Sequence, residues 1–227
     1  MNDFSRLPVD WERELTPLMG EEDLGQLYSF IDECYERYPG LVNPARSNVF
    51  RAFHSTPYEK VRVVLIGQDP YPGKDVADGL AFSTSDDNPT PASLKNIIAE
   101  WIREFGEVGR PTNSLSYIAD QGVFLFNTAL IGCEGIPMFF AREKLIERFS
   151  RAVVTALSRR SKSAVFILLG KRAQSLEDLI NRKKHRILKT SHPSPLSANQ
   201  GFLGSGIFLD CNSILIDWSE KPISWLP

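Results

Sequence analysis

Four short, unbroken apolar runs separated by helical patterns constrain this chain more than any other feature. Val61 to Ile66 (VRVVLI) is rich in β-branched residues and bounded by Gly67, and Val123 to Phe126 (VFLF) follows Gln121-Gly122. Ala164 to Leu169 (AVFILL) runs into Gly170, and Arg186 to Lys189 (RILK) is a weaker fourth. Between them, Ser93 to Phe105, Arg142 to Leu157 and Ala173 to Ile180 carry apolar residues at i, i+3 and i+4 spacing. Strands that are apolar throughout are buried on both faces, and the alternating helices supply the covering layers. The expectation is an α/β fold: a single domain over residues 1–227 with a central four-stranded parallel sheet flanked by helices on both faces. Residues 1–40 read as an acidic N-terminal helical cap, in which Leu24, Leu27, Ile31 and Cys34 recur at helical spacing before Pro39-Gly40.

In parallel sheets ligands sit beyond the carboxyl ends of the strands, so the loops after Ile66, Phe126, Leu169 and Lys189 are where chemistry is expected. Pro70 and Pro72 stiffen the first of these and hold Asp69 and Tyr71 at a strand end. Asp69 reads either as a cap on local backbone or as a fixed carboxylate in a cleft. Phe82, after Gly79-Leu80-Ala81, reads on its own as a core residue. Asn127 is either a turn former or an amide presenting a donor and an acceptor to a planar ligand edge. The last loop, Ser191 to Ser197 (SHPSPLS), combines a histidine, two prolines, three serines and a lone leucine. Serine hydroxyls on proline-fixed backbone suit phosphate contacts, and a leucine on a rigid loop suits a wedge into a base stack.

These segments together carry a resemblance. GQDPY at 67–71 and HPSPLS at 192–197, with GLAFS at 79–83, Pro91-Ala92-Ser93 before a helix and the strand-ending Asn127 in the same order, resemble the family 1 uracil-DNA glycosylases. The likeness runs from about Asn43 to the C-terminus and is weakest over 132–150. It implies a hydrolase that flips deoxyuridine out of single- or double-stranded DNA and cleaves the bond between base and sugar. Free uracil and an abasic site result, the first step of base-excision repair. The resemblance makes Asp69 the carboxylate that stabilises the sugar cation and orients water. It makes His192 a neutral donor to the uracil O2, assisted by the backbone of Gln68. Asn127 reads the uracil edge, Tyr71 blocks a 5-methyl group, Phe82 stacks on the flipped base, and Leu196 fills the vacated space. Ser93, Ser194 and Ser197 are expected to grip phosphates, and Lys171, where the family often has Ser, is expected to contact a phosphate too. The resemblance also admits a DNA-mimicking acidic protein inhibitor as a partner.

The chain departs from the family pattern at Pro72, where His is usual, and at Ile136 to Ala141 (IPMFFA), which reads as local packing or as a patch for a protein partner. Some divergent viral members with Pro at that place also serve replication. The alternative reading is therefore a catalytically weak, DNA-binding accessory protein of the same fold, although Asp69, Asn127 and His192 are all present.

Composition narrows the rest. A formal net charge of −2 and a pI near 6.0 argue against a histone-like basic binder, and 42% hydrophobic content argues against disorder. The charge is unevenly spread: residues 1–40 hold ten acids against three arginines, and residues 159–189 hold ten cations against Glu177 and Asp178. That basic stretch leads into the His192 loop, and two readings of Arg182 to Lys189 stand: a solvated turn, or part of a basic face around the cleft. Cys34, Cys133 and Cys211 form no C-x-x-C pair, and His54, His185 and His192 form no helical ligand pair, so neither metal nor cofactor is expected. Met1 to Asp10 shows no secretory leader and no apolar run is long enough to span a bilayer. A reduced, cytoplasmic monomer without a membrane partner is expected.

Overall fold

The computed structural model describes residues 3–106, 112–134 and 144–227. In chain order the elements are α1 (Val9–Met19), α2 (Glu21–Arg37), β1 (Val42–Asn43), α3 (Arg51–Ser55), β2 (Val63–Gly67), α4 (Ala92–Phe105) and α5 (Ser116–Ala119). There follow β3 (Val123–Asn127), β4 (Gly132–Cys133), α6 (Lys144–Arg159), β5 (Val165–Leu169), α7 (Gly170–Gln174), β6 (Arg186–Thr190) and α8 (Ile207–Asp217). Four strands make a parallel sheet in the order β3-β2-β5-β6, with Gly67 opposite Asn127 and Leu169 opposite Thr190. All four carboxyl ends therefore share one edge. A separate antiparallel pair joins β1 to β4.

Apolar strands fix the inner position. Every residue of β2 and β5 is buried, whereas β6, with Arg186 and Lys189 exposed, takes the edge. On one face Trp11 of α1 stacks on Phe124 of β3 (ring centroids 4.6 Å apart) and meets Phe53 of α3 edge-on at 5.0 Å. Its indole N–H donates to the Thr56 carbonyl at 3.0 Å, so the ring is buried without an unsatisfied donor. On the other face α8 lies along β5 and β6, and Trp101 of α4 packs against Phe208 and Trp225. In α4 the residues Leu94, Ile97 and Trp101 form the buried stripe, and Gly106 at φ +82° stops the helix.

The helix expected over Ala173 to Ile180 is interrupted. Helix α7 ends at Gln174, and Glu177–Leu179 forms only a 3-10 turn. The Ser175 hydroxyl donates to the Arg172 carbonyl at 2.7 Å, a local bond that competes with helix propagation. The segment Ile136 to Ala141 lies outside the described residues.

Candidate active site

The site is assembled where β2 and β3 end side by side. A Cβ on Gly67 would stand 2.3 Å from Asn127 Oδ1, 3.1 Å from Ala81 Cβ and 3.3 Å from Phe82 Cε2. Only glycine leaves that space, which the Asn127 amide oxygen occupies and the Phe82 ring edge borders. The next carbonyl, that of Gln68, accepts from the Ala129 N–H and the Thr128 hydroxyl, both at 2.9 Å. This pins the start of the Asp69 loop to the end of β3. The Gln68 side-chain amide donates to Asp69 Oδ1 at 3.0 Å, so one carboxylate oxygen is oriented from within the loop.

Tyr71 and Phe82 form a second unit. The Tyr71 hydroxyl donates to the Phe82 carbonyl at 3.0 Å, and burial, with the nearby Asp78 charge, pushes its phenol well above the ordinary value. The ring is therefore neutral and fixed at both ends. Phe82 adopts φ +65°, a left-handed conformation that costs a non-glycine residue roughly 1–2 kcal/mol. Asp78 secures the turn: its carboxylate accepts from the Leu80 N–H (3.1 Å) and the Ser83 hydroxyl (2.7 Å) and pairs with Arg51 at 2.8 Å. Arg51 in turn donates to the Ser116 hydroxyl at 2.8 Å, tying α3 and α5 to the Phe82 turn.

His192 arrives from the end of β6. Gly170, at φ +85°, makes room, because a Cβ there would lie 2.8 Å from His192 Cβ. The Ser194 N–H donates to His192 Nδ1 at 3.0 Å, which requires Nδ1 to be unprotonated and puts the neutral ring's proton on Nε2. Burial lowers the imidazole pKa below its ordinary 6.5, against the opposing pull of the Asp69 carboxylate. The loop is stapled internally: Ser197 Oγ donates to the His192 carbonyl (2.8 Å), Ser194 and Ser197 hydroxyls meet at 3.0 Å, and Ser191 Oγ donates to the Ser197 carbonyl (2.8 Å). From α4, Asn96 donates to the Pro193 carbonyl at 2.7 Å. The tip carries Leu196, 88% exposed.

These side chains enclose a cavity of about 120 Å³ whose walls include Gln68, Asp69, Tyr71, Phe82, Ser93, Asn127 and His192. An apolar cavity of roughly 150 Å³ holds one benzene, so the size is that of a single six-membered ring. Lys171 is exposed in the short α7, next to the Gly170 that abuts His192. Ser194 and Ser197 follow His192 on its loop but do not line the cavity, and their hydroxyls are occupied inside the loop. The Arg51–Asp78 pair, Asn96 and Thr128 escape a reading of the sequence. None stands in a recognisable motif, although an asparagine one residue before the buried Ile97 of an amphipathic helix is a weak signal. Arg172 donates to the Thr128 hydroxyl at 3.1 Å, behind the Gln68 carbonyl.

Arg182 to Lys189 do not form part of a basic face around this cleft. Arg186 opens β6 opposite Val165, at the amino ends of the strands, and the turn before it lies at that end too. Of Arg182 to Lys189 only Lys189 comes near the cleft end, and Glu177 binds it at 2.9 Å as well as binding Arg182. Adjacency in sequence misleads because a whole strand intervenes.

Fold and cavity are those of an α/β protein with a ring-sized cavity at the carboxyl edge of a parallel sheet, lined by an oriented carboxylate and a neutral imidazole. Residues 53–215 match the family model of the uracil DNA glycosylase superfamily. The chain is 38% identical over 216 residues to the uracil-DNA glycosylase of Streptococcus thermophilus, covering 95% of this chain and 97% of that protein. It is 41% identical over 218 residues to the uracil-DNA glycosylase of Borreliella burgdorferi, covering 95% of each. Among solved structures, a variant of the mimivirus UNG in complex with UGI superposes with a TM-score of 0.87 at 25% identity, over 97% of this chain and 89% of that one. The chain belongs to the uracil DNA glycosylase superfamily.

Proposed function

We propose that this chain hydrolyses the N-glycosidic bond of deoxyuridine in DNA, releasing uracil and leaving an abasic site for base-excision repair. The observation that carries this reading is the ring-sized cavity holding Asp69, Asn127 and a His192 whose Nδ1 is already occupied by a backbone N–H. A base inside a duplex is out of reach, so the nucleotide must be extruded into the cavity. Phe82 then stacks on the base, and the rigid Tyr71 ring fills the space that a 5-methyl group would need. Asn127 donates to O4 and accepts from N3–H. Cytosine reverses both, which leaves buried polar groups unpaired, a strong ground for rejection.

In the reaction the C1′–N1 bond breaks with its electron pair remaining on uracil, and a water oxygen bonds to C1′ while its proton passes to the Asp69 carboxylate and on to solvent. Positive charge grows on the sugar, where the Asp69 carboxylate stabilises it and orients the water. Negative charge grows on uracil O2, which receives the His192 Nε2–H bond. Leu196, exposed on a stapled loop, fills the gap in the stack. Ser93, in the first turn of α4, and Lys171 meet backbone phosphates. Ser194 and Ser197 do so by turning hydroxyls outward that in the free protein donate within the loop.

A protein inhibitor is a further proposed partner, supported by the mimivirus UNG structure in complex with UGI. No helix among the described residues is long and apolar enough to cross a membrane. The test is single-turnover release of uracil from matched oligonucleotides. Wild type is expected to release uracil, and Asp69→Asn to bind the same DNA with little turnover. Binding without release by wild type would leave only the accessory-protein reading.

A further inference from the structure

The ten cations between Arg159 and Lys189 sort by what holds them. Arg160 is buried on the carbonyls of Val61 (2.6 Å) and Glu59 (3.0 Å), and Lys184 donates to the Arg160 carbonyl at 2.7 Å. Glu177 pairs with Arg182 and Lys189, while Lys171 and Arg172 belong to α7 at the cleft end. Arg159, Lys162, Lys183 and Arg186 remain. Each is exposed, and none has an ion pair among the described residues. The other acid of the stretch, Asp178, pairs with none of them.

These four share one corner. Arg159 closes α6, Lys162 lies in the turn before β5, Lys183 lies in the turn before β6, and Arg186 opens β6. The turns are stitched together: the Asn181 N–H donates to Ser158 Oγ (2.8 Å), the Ala164 N–H to His185 Nδ1 (3.1 Å) and the Arg186 N–H to the Ala164 carbonyl (3.2 Å). The five-residue β6, at about 3.3 Å per residue, sets this corner roughly 13 Å back from the His192 loop. Arg159 has a local use, since a cation in a helix's last turn meets the negative end of its dipole. No such use accounts for Lys162, Lys183 and Arg186. Glu59, Asp120 and Glu220 flank Lys162 in the adjoining groove, with Glu220 paired to Arg62, and they bound the corner on that side.

A surface kept soluble by charge interleaves both signs, whereas here the acids of the adjoining groove pair with none of Lys162, Lys183 and Arg186 among the described residues. We infer that it is a second contact surface for the phosphate backbone of DNA, separate from the cleft, so that one molecule holds two DNA segments at once. The inference rests on the glycosylase reading only in taking DNA as the ligand. Phosphate contacts carry no sequence information, which suits a surface that holds any segment while the cleft tests another.

The test occupies the cleft first. Protein is saturated with a short oligonucleotide carrying an abasic-site analogue, and a labelled uracil-free duplex is then titrated by fluorescence anisotropy over a range of salt. Wild type is expected to form the ternary complex with a log–log salt slope of about 3–4, since each phosphate contact contributes about 0.9. The K162Q/K183Q/R186Q variant is expected to lose at least tenfold in this second binding and to drop to a slope near 1, while releasing uracil from a short single strand at the wild-type rate. That retained rate shows the variant is folded and tests the glycosylase reading separately. Absence of a ternary complex with wild type would overturn the inference. So would equal slopes for the two proteins, or a corner that binds polyglutamate but no duplex.

Discussion

Ser194 has two roles at the scale of single residues: its hydroxyl joins the loop staple and its N–H sets the imidazole's tautomer. Protonating Nδ1 would set one N–H against another, and burial already disfavours the cation. The folded-state pKa thus lies below the ordinary 6.5, so the neutral donor persists at every pH above that value and is lost only in more acid solution. The single-turnover rate should show no effect of His192 protonation down to pH 6.5, and a fall from its protonation beginning above that pH would contradict the assignment. His192→Ala should slow release by about 100- to 1000-fold, the usual effect of removing one donor to a developing oxyanion. Gly67 offers a complementary test. Gly67→Ala would place a methyl group in the space of the Asn127 amide. Uracil release should fall far more than the urea midpoint, because a flexible side-chain end gives way rather than the backbone. Equal losses would mean that Gly67 serves only the fold.

At the scale of elements, the Phe82 turn is held from outside itself. Asp78→Ala would leave Arg51, the Leu80 N–H and the Ser83 hydroxyl without their shared acceptor. A group left unsatisfied costs about 1–3 kcal/mol, and an unfolding free energy lower by that amount is expected in urea denaturation, together with weakened uracil binding. Asp78→Asn, which keeps an acceptor for the Leu80 N–H, should recover part of both. This clamp was invisible in the sequence because Arg51 and Asp78 lie on separate elements and neither belongs to a periodic run. The strands were legible because burial on both faces forces unbroken apolar runs, and Asp69, Tyr71, Asn127 and His192 drew attention because they follow those runs, whereas Phe82 reads alone as a core residue and was singled out only by the family resemblance. Helix α1 falls inside the helical cap expected over residues 1–40, but its own periodicity was not read: Trp11, Leu15 and Met19 share a face that Pro8 and Pro17 mask. Helix α8 was missed, since it follows a glycine-rich turn and starts at Gly206 with no side-chain cap. The basic corner was misplaced because sequence neighbours can stand at opposite ends of a strand.

For the molecule as a whole, a half-buried carboxylate and a buried imidazole set opposed pH slopes. Glu104 of α4 accepts from the Phe208 and Leu209 N–H groups of α8, and burial, reinforced by the neighbouring Glu100, raises its pKa from 4.5 to about 7. The folded state then holds a proton that the unfolded chain releases, so this group's contribution falls as pH rises from 4.5 to about 7. His185 is buried and neutral, accepting from the Ala164 N–H and donating to the Ser158 carbonyl. Its lowered pKa acts the other way, with stability lost as pH falls below 6.5. Glu104→Gln should therefore raise Tm at pH 8 relative to wild type and change it little at pH 4.5. A gain of equal size at both would show that Glu104 is not the titrating group.

The capped Nδ1 also bears on the chemistry of the departing base. With one ring nitrogen held by a backbone donor and the other carrying the only exchangeable proton, the imidazole cannot act as a two-ended proton wire. On the proposed mechanism the base leaves as an anion, so the speed of cleavage should follow leaving-group acidity. A more acidic 5-fluorinated uracil should depart faster than uracil from the same sequence, and cleavage should show a solvent deuterium isotope effect near unity.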